Sequence, residues 1–160
     1  MSLPMPIQSE TAWETVHSYE HKNLLLRIMR KCEVSESQAE ELFTDLKRFL
    51  FVCGQQGRSS FVPTRSIDKA WHEFLMYTKD YDEFCAKYFG RKVHHNPNEL
   101  KAVADHLAIA RTLKAARDAF GDSALKGNWI YTDVNGTPLT EIQLLNPSAD
   151  DCPCHDGCDT

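Results

Sequence analysis

Apolar residues recur at intervals of three and four from Thr11 to Gly121, punctuated by helix-capping residues and glycines. Strand side chains alternate with period two, so this spacing commits the body of the chain to helices packed through apolar faces. Ile67, Ala70, Trp71, Phe74 and Leu75 give the cleanest stripe, falling at i, i+3, i+4, i+7 and i+8 behind Ser66, a good N-cap residue. Upstream, Thr11 and Glu14 form a T-x-x-E capping box that opens a helix reaching Lys31, with a break near Ser18. Ser35 and Gln38 form a second box, opening a helix whose Ala39, Leu42, Phe43, Leu46, Phe49, Leu50 and Cys53 share a face up to Gly54. Gly, Ser and Pro63 mark residues 55–65 as a loop. A fourth helix starts at Asp80, carries Tyr81, Phe84, Cys85 and Tyr88 inward and stops at Gly90. Asn96, Pro97 and Glu99 start a fifth, which runs to Phe120 and ends at Gly121.

Beyond Gly127 the pattern changes. Trp129 to Val134, then Asn135-Gly136, then Thr137 to Leu145 predict a two-stranded hairpin around a type I′ turn, weakened by Pro138. From Pro147 onward the composition is that of a mobile terminus. The expected fold class is therefore mainly α, a five-helix bundle-like domain with a small C-terminal β-hairpin and a flexible Cys-rich tail. The corresponding segments are an N-terminal extension (1–10), the helical domain (11–125), the hairpin (126–148) and the tail (149–160).

Composition bounds the function. The 160 residues carry a net charge of −5, yet all 18 Lys and Arg lie in residues 1–126, and residues 127–160 hold six acids and no base. The body has no basic face beyond Arg91-Lys92, so the electrostatic term that dominates nucleic-acid binding is missing and no nucleic-acid partner is expected. The longest strongly apolar run, Phe49 to Cys53, is far short of the roughly 20 residues of a membrane helix, so no membrane partner is expected either. Residues Met1 to Pro6 show neither the basic nor the apolar part of a secretory signal, which makes the cytoplasm the expected location. Cys32, Cys53 and Cys85 sit inside helical apolar patterns and are read as thiols.

Two sets of residues can carry chemistry. Asp68 and His72 lie four apart on one helix, so a carboxylate and an imidazole suited to zinc or iron project from adjacent turns. His94 and His95, in the short connection between the Gly90 stop and the Asn96 start, are placed to supplement them. Cys85 offers a thiolate, although its place among Tyr81, Phe84 and Tyr88 favours the core. An Asp–His pair at this spacing is equally an ordinary ion pair, and a vicinal His-His is equally a hydrogen-bonding element. His17, His21 and His106 have no partner pattern and read as surface or boundary residues. The second set is in the tail, where Cys152, Cys154, His155 and Cys158 place three thiols and an imidazole together. Such donors suit a soft or borderline ion, a redox-active arm or simply an unstructured end, and the spacing is not that of a zinc ribbon.

Ile67-Asp68-x-x-Trp71-His72-x-Phe74-Leu75, followed by Tyr81, Phe84-Cys85, Tyr88-Phe89-Gly90 and Val93-His94-His95, resembles the central motif of the glycine-rich domain-containing protein-like family. The resemblance implies that Asp68, Trp71, His72, Cys85 and the His94/His95 pair are signature positions. It departs at Phe74, where many plant members of that family carry a second histidine. The Cys152 to Cys158 run resembles in miniature the glycine- or cysteine-rich tails of such proteins.

The expected function is a zinc- or iron-binding helical domain, with metal handling as one role and with no nucleotide or organic cofactor. Two alternatives come from other classes: a protein-interaction module for an unidentified protein partner, in which Asp68, Trp71, His72 and the His94/His95 pair merely lock the fold, and a metal-dependent hydrolase or oxygenase. The chain lacks H-E-x-x-H, a nucleophile elbow and a phosphate-cradling glycine loop, so enzymatic activity is left open.

Overall fold

The computed structural model describes residues 9–55, 61–95, 106–133 and 135–140. Its helices are α1 (Ser9–His17), α2 (Lys22–Cys32), α3 (Glu36–Gln55), α4 (Arg65–Leu75), α5 (Thr78–Phe89) and α6 (His106–Phe120), followed by two 3-10 turns at Asp122–Ala124 and Gly127–Trp129. No described helix is long and apolar enough to cross a membrane.

Among the described residues there are six helices rather than the expected five, because the break near Ser18 is a complete one. Lys47 donates from Nζ to the carbonyls of His17 (2.6 Å) and Tyr19 (3.0 Å), tying off the end of α1. His21 then caps α2, its Nδ1 accepting from the Leu24 amide at 3.0 Å. That leaves Nε2–H to donate to Asp80 at 2.7 Å, so His21 is a half-buried boundary residue that fastens α2 to α5.

At the centre lies α3, which packs against α1, α2, α4, α5 and α6. Its start follows the sequence pattern: the Ser35 amide donates to Gln38 Oε1 (2.9 Å) and the Gln38 amide to Ser35 Oγ (3.2 Å). Gly54 does not stop it. The helix continues to Gln55, and a Cβ at Gly54 would lie 2.5 Å from Phe89 Cδ1, so the glycine permits close approach of α5. Because neighbours surround α3, two charged residues are buried on it, Asp45 and Lys47. Asp45 accepts from Trp129 Nε1 (2.9 Å), Asn128 Nδ2 (3.0 Å) and Arg48 Nη1 (2.8 Å). Lys47, besides its two carbonyls, lies 4.7 Å from the centre of the Phe43 ring, and burial pushes its pKa down to about 8.

The α4 stripe packs on α3 as the spacing requires, with Ile67, Ala70, Trp71 and Phe74 buried and Phe49 meeting Trp71 edge to face at 5.4 Å. Its N-cap is Thr64 rather than Ser66: Thr64 Oγ1 accepts from the Ile67 amide at 3.3 Å and donates to the Asn128 carbonyl at 2.6 Å. Likewise α5 begins at Thr78, ahead of Asp80, whose carboxylate is engaged by His21. Gly90 ends α5 at φ +68, as expected of a left-handed cap. The start of the fifth expected helix, at Asn96, Pro97 and Glu99, lies outside the described residues.

The C-terminal β-hairpin is not formed: there is no strand among the described residues. Trp129 closes a 3-10 turn, and Thr132 and Pro138 make one isolated antiparallel bridge around the Asn135-Gly136 turn. Its anchors explain the departure. Trp129 is tied to Asp45 on α3 and the Tyr131 hydroxyl donates to the Val62 carbonyl, so both side chains are pinned to the helical body. Among the described residues, backbone pairing across the turn is limited to Asp133 N–H on the Thr137 carbonyl (2.8 Å) and Leu139 N–H on the Tyr131 carbonyl (2.9 Å). Pro138 moreover brings no amide hydrogen to a ladder. Val134 and residues 141–160, including the Cys-rich tail, lie outside the described residues.

Candidate metal centre

Asp68 sits in the first turn of α4 and His72 one turn later, a placement that follows from the i, i+4 spacing. The facing wall is the chain after Gly90. Its register is fixed from below by Tyr81, an almost wholly buried α5 side chain. Tyr81 accepts a hydrogen bond from Trp71 Nε1 (3.1 Å) and donates its own proton to the Val93 carbonyl. With Val93 buried and its carbonyl held, His95 swings onto α4 while His94 stays exposed.

His95 is the inner member of the group. Its side chain is 7% exposed, and its ring stands edge-on to Trp71 at 4.5 Å and to His72 at 4.3 Å. His95 Nε2 donates to Asp68 Oδ1 at 2.7 Å. The second carboxylate oxygen, Oδ2, lies 3.4 Å from His72 Nε2. One ligand-capable atom from each of Asp68, His72 and His95 can be chosen so that all lie within 4.8 Å of one another. Asp68 (39% exposed) and His72 (52% exposed) form the solvent side of the cluster, and His95 forms its floor.

The other sequence candidates separate from this group. His94 is exposed and is not among the clustered donors. Cys85 is fully buried below Val93; burial pushes its thiol up, and hydrogen bonding with the Val93 backbone and the Tyr81 side chain pulls the other way. A neutral thiol held in the core packs as a small apolar group rather than as a ligand. Cys152, Cys154, His155 and Cys158 lie outside the described residues. The residue that sequence reasoning missed is Tyr81, read there only as part of an apolar face. A tyrosine on a core stripe needs a partner for its hydroxyl, and that requirement was the available signal.

A cavity of about 860 Å³ lies elsewhere, lined by Thr44, Asp45, Arg48, Lys69, Lys126 and Asn128 among others, and does not include the Asp68 cluster. Its wall carries three carboxylates, Glu40, Glu41 and Asp45, but no histidine, and Asp45 is already engaged by three donors, whereas Asp68 serves two imidazoles at the solvent boundary. The cluster therefore has the better claim to ligand chemistry.

The UCP032817-like family model matches residues 12–117. The chain belongs to that family. The match spans α4, the Gly90 turn and both loop histidines, so the whole candidate centre lies inside the family's domain. It also corrects the resemblance to the glycine-rich domain-containing protein-like family. Much of the motif behind that resemblance (Trp71, Phe74, Tyr81, Phe84 and Cys85) is core packing, and the helical spacing of such residues does not separate one helical family from another. No curated protein and no solved structure matches the chain.

Proposed function

We propose that this domain binds a divalent transition metal, zinc or iron, through Asp68, His72 and His95. The carrying observation is the convergence of one carboxylate and two imidazoles within 4.8 Å. Metal–nitrogen and metal–oxygen bonds of about 2.0–2.2 Å set donor atoms of a tetrahedral site about 3.4 Å apart. The His72–Asp68 separation of 3.4 Å already has that value, and the 2.7 Å His95–Asp68 hydrogen bond would open slightly as the ion replaces its proton. Two imidazoles and a carboxylate suit zinc and iron better than calcium or magnesium, which prefer all-oxygen sites. Three free cysteines among the described residues, Cys32, Cys53 and Cys85, support a reducing, cytoplasmic setting for such a protein.

A second reading has its own observation. The Asp68–His95 hydrogen bond, against the Trp71 ring, can act without an ion as a lock that fixes the loop in an interaction module. Elemental analysis of the full chain purified without added metal, followed by zinc and iron(II) titration of the metal-stripped protein, separates the two. Chains with Cys152, Cys154 and Cys158 changed to Ser remove the tail thiols from the count. Stoichiometric binding in that background, abolished by His72→Ala with helicity retained, supports the metal. Absence of binding leaves the lock.

A further inference from the structure

We infer that the ion held by Asp68, His72 and His95 keeps an exchangeable position on its solvent side and takes a small oxyanion there, a carboxylate or a phosphate. This rests on the metal-binding reading and adds to it what the centre is for: capture of an anionic oxygen ligand, not cross-linking of the fold.

Two features of the cluster carry the inference. The first is its asymmetry. His95 is closed off by Trp71 below, whereas Asp68 and His72 stand at the surface with 39% and 52% of their side chains exposed. All three donors thus approach from the protein side, and the coordination positions opposite them face water. Structural zinc sites close all four positions with protein donors, whereas sites that act on ligands keep one open. The buried thiol among the described residues, Cys85, is engaged with Tyr81 and Val93 and is not among the clustered donors.

The second feature is charge. A divalent ion with one carboxylate and two neutral imidazoles retains one net positive charge, which favours an anionic fourth ligand over a neutral one. Binding is a ligand exchange in which the oxyanion enters as a water leaves; nothing is oxidised or reduced.

Cobalt(II), whose visible bands report coordination, tests this on the full-length chain and on the chain carrying Ser at 152, 154 and 158. Acetate and inorganic phosphate are the probes. The expected result is a cobalt spectrum that shifts and saturates with one or both probes in the Ser-substituted chain and is absent from its His72→Ala version. A bound-cobalt spectrum unmoved by either probe overturns the inference while leaving the metal site standing. An intense thiolate-to-cobalt band in the full-length chain that disappears with His72→Ala also overturns it, because a tail thiol then closes the site. Failure of the Ser-substituted chain to bind cobalt at all overturns the metal reading and this inference together.

Discussion

Two clusters of charged and polar side chains sit in the same helical body and handle their charge in opposite ways. On α3, Asp45 is buried and receives three donors, and Lys47 is buried and donates to two carbonyls. On α4, Asp68 is part-exposed and shared by two imidazoles, each of which has an alternative use as a ligand. The first arrangement spends its polar capacity on holding α1, the Trp129 segment and α3 together. The second leaves lone pairs at the surface. Burial with several partners marks an internal fastener, whereas partial exposure with a shared carboxylate is the arrangement on which the proposed metal site rests.

The largest expected effect separates the two acids. Asp45→Ala leaves Trp129 Nε1, Asn128 Nδ2 and Arg48 without their acceptor and should destabilise the protein by about 3–5 kcal/mol in urea unfolding. Asp68→Ala leaves the nearly buried His95 Nε2–H without its acceptor and should cost a smaller amount, about 1–2 kcal/mol, while abolishing metal binding. Equal costs would erase the distinction between fastener and site.

Lys47 sharpens the fastener side through pH. Its folded pKa lies at about 8 against an ordinary 10.5. Between those values the unfolded chain holds a proton that the folded protein has released, so unfolding takes up a proton and rising pH disfavours it. Relative to Lys47→Met, the wild-type protein should therefore gain stability from about pH 8 to pH 10.5, with a slope of at most about 1.4 kcal/mol per pH unit. A stability difference constant across that window would mean that the ammonium is not desolvated.

How far the sequence foreshadows each region follows from the range of its interactions. The Ser35–Gln38 box, the Gly90 stop, the α4 stripe and the Asp68–His72 pair are local, spanning a turn or two, and spacing alone reveals them. The fastener is not local. Lys47 reaches back 30 residues to His17, and Asp45 reaches forward 84 to Trp129, so nothing near either residue announces its burial. The same long-range ties bear on the Asn135-Gly136 turn, whose flanks pair through one isolated bridge while Trp129 and Tyr131 also answer to α3 and Val62. The choice between His94 and His95 also lay beyond spacing, because it depends on the Tyr81 hydroxyl holding the Val93 carbonyl.

That hydroxyl links the core to the centre and gives a smaller, more specific prediction. Tyr81→Phe leaves Trp71 Nε1 and the Val93 carbonyl without their partner and should cost about 1–2 kcal/mol. By loosening the loop that aims His95, it should also lower metal affinity by about 10–100-fold. Ile67→Val, expected to cost a similar about 0.5–1.5 kcal/mol in the same core without touching that hydroxyl, is the control. Affinity lost equally in both variants would show general softening of the core rather than aim.

The smallest expected effect is at His94, adjacent to His95 yet placed oppositely. His94 is exposed and outside the clustered donors, while His95 is nearly buried against Trp71 with Nε2 on Asp68. Backbone register makes the difference: with Val93 buried and its carbonyl held by Tyr81, the two histidines cannot exchange places without breaking that hydrogen bond. His94→Ala should therefore change stability by no more than about 0.5 kcal/mol, the usual range for an unengaged surface residue, and leave metal affinity at the wild-type value. His95→Ala should abolish metal binding. Calorimetric titration of both variants in the background lacking the tail thiols reads the contrast directly. Loss of affinity in His94→Ala with retention in His95→Ala would mean that the loop runs in the other register and that Tyr81 does not set it.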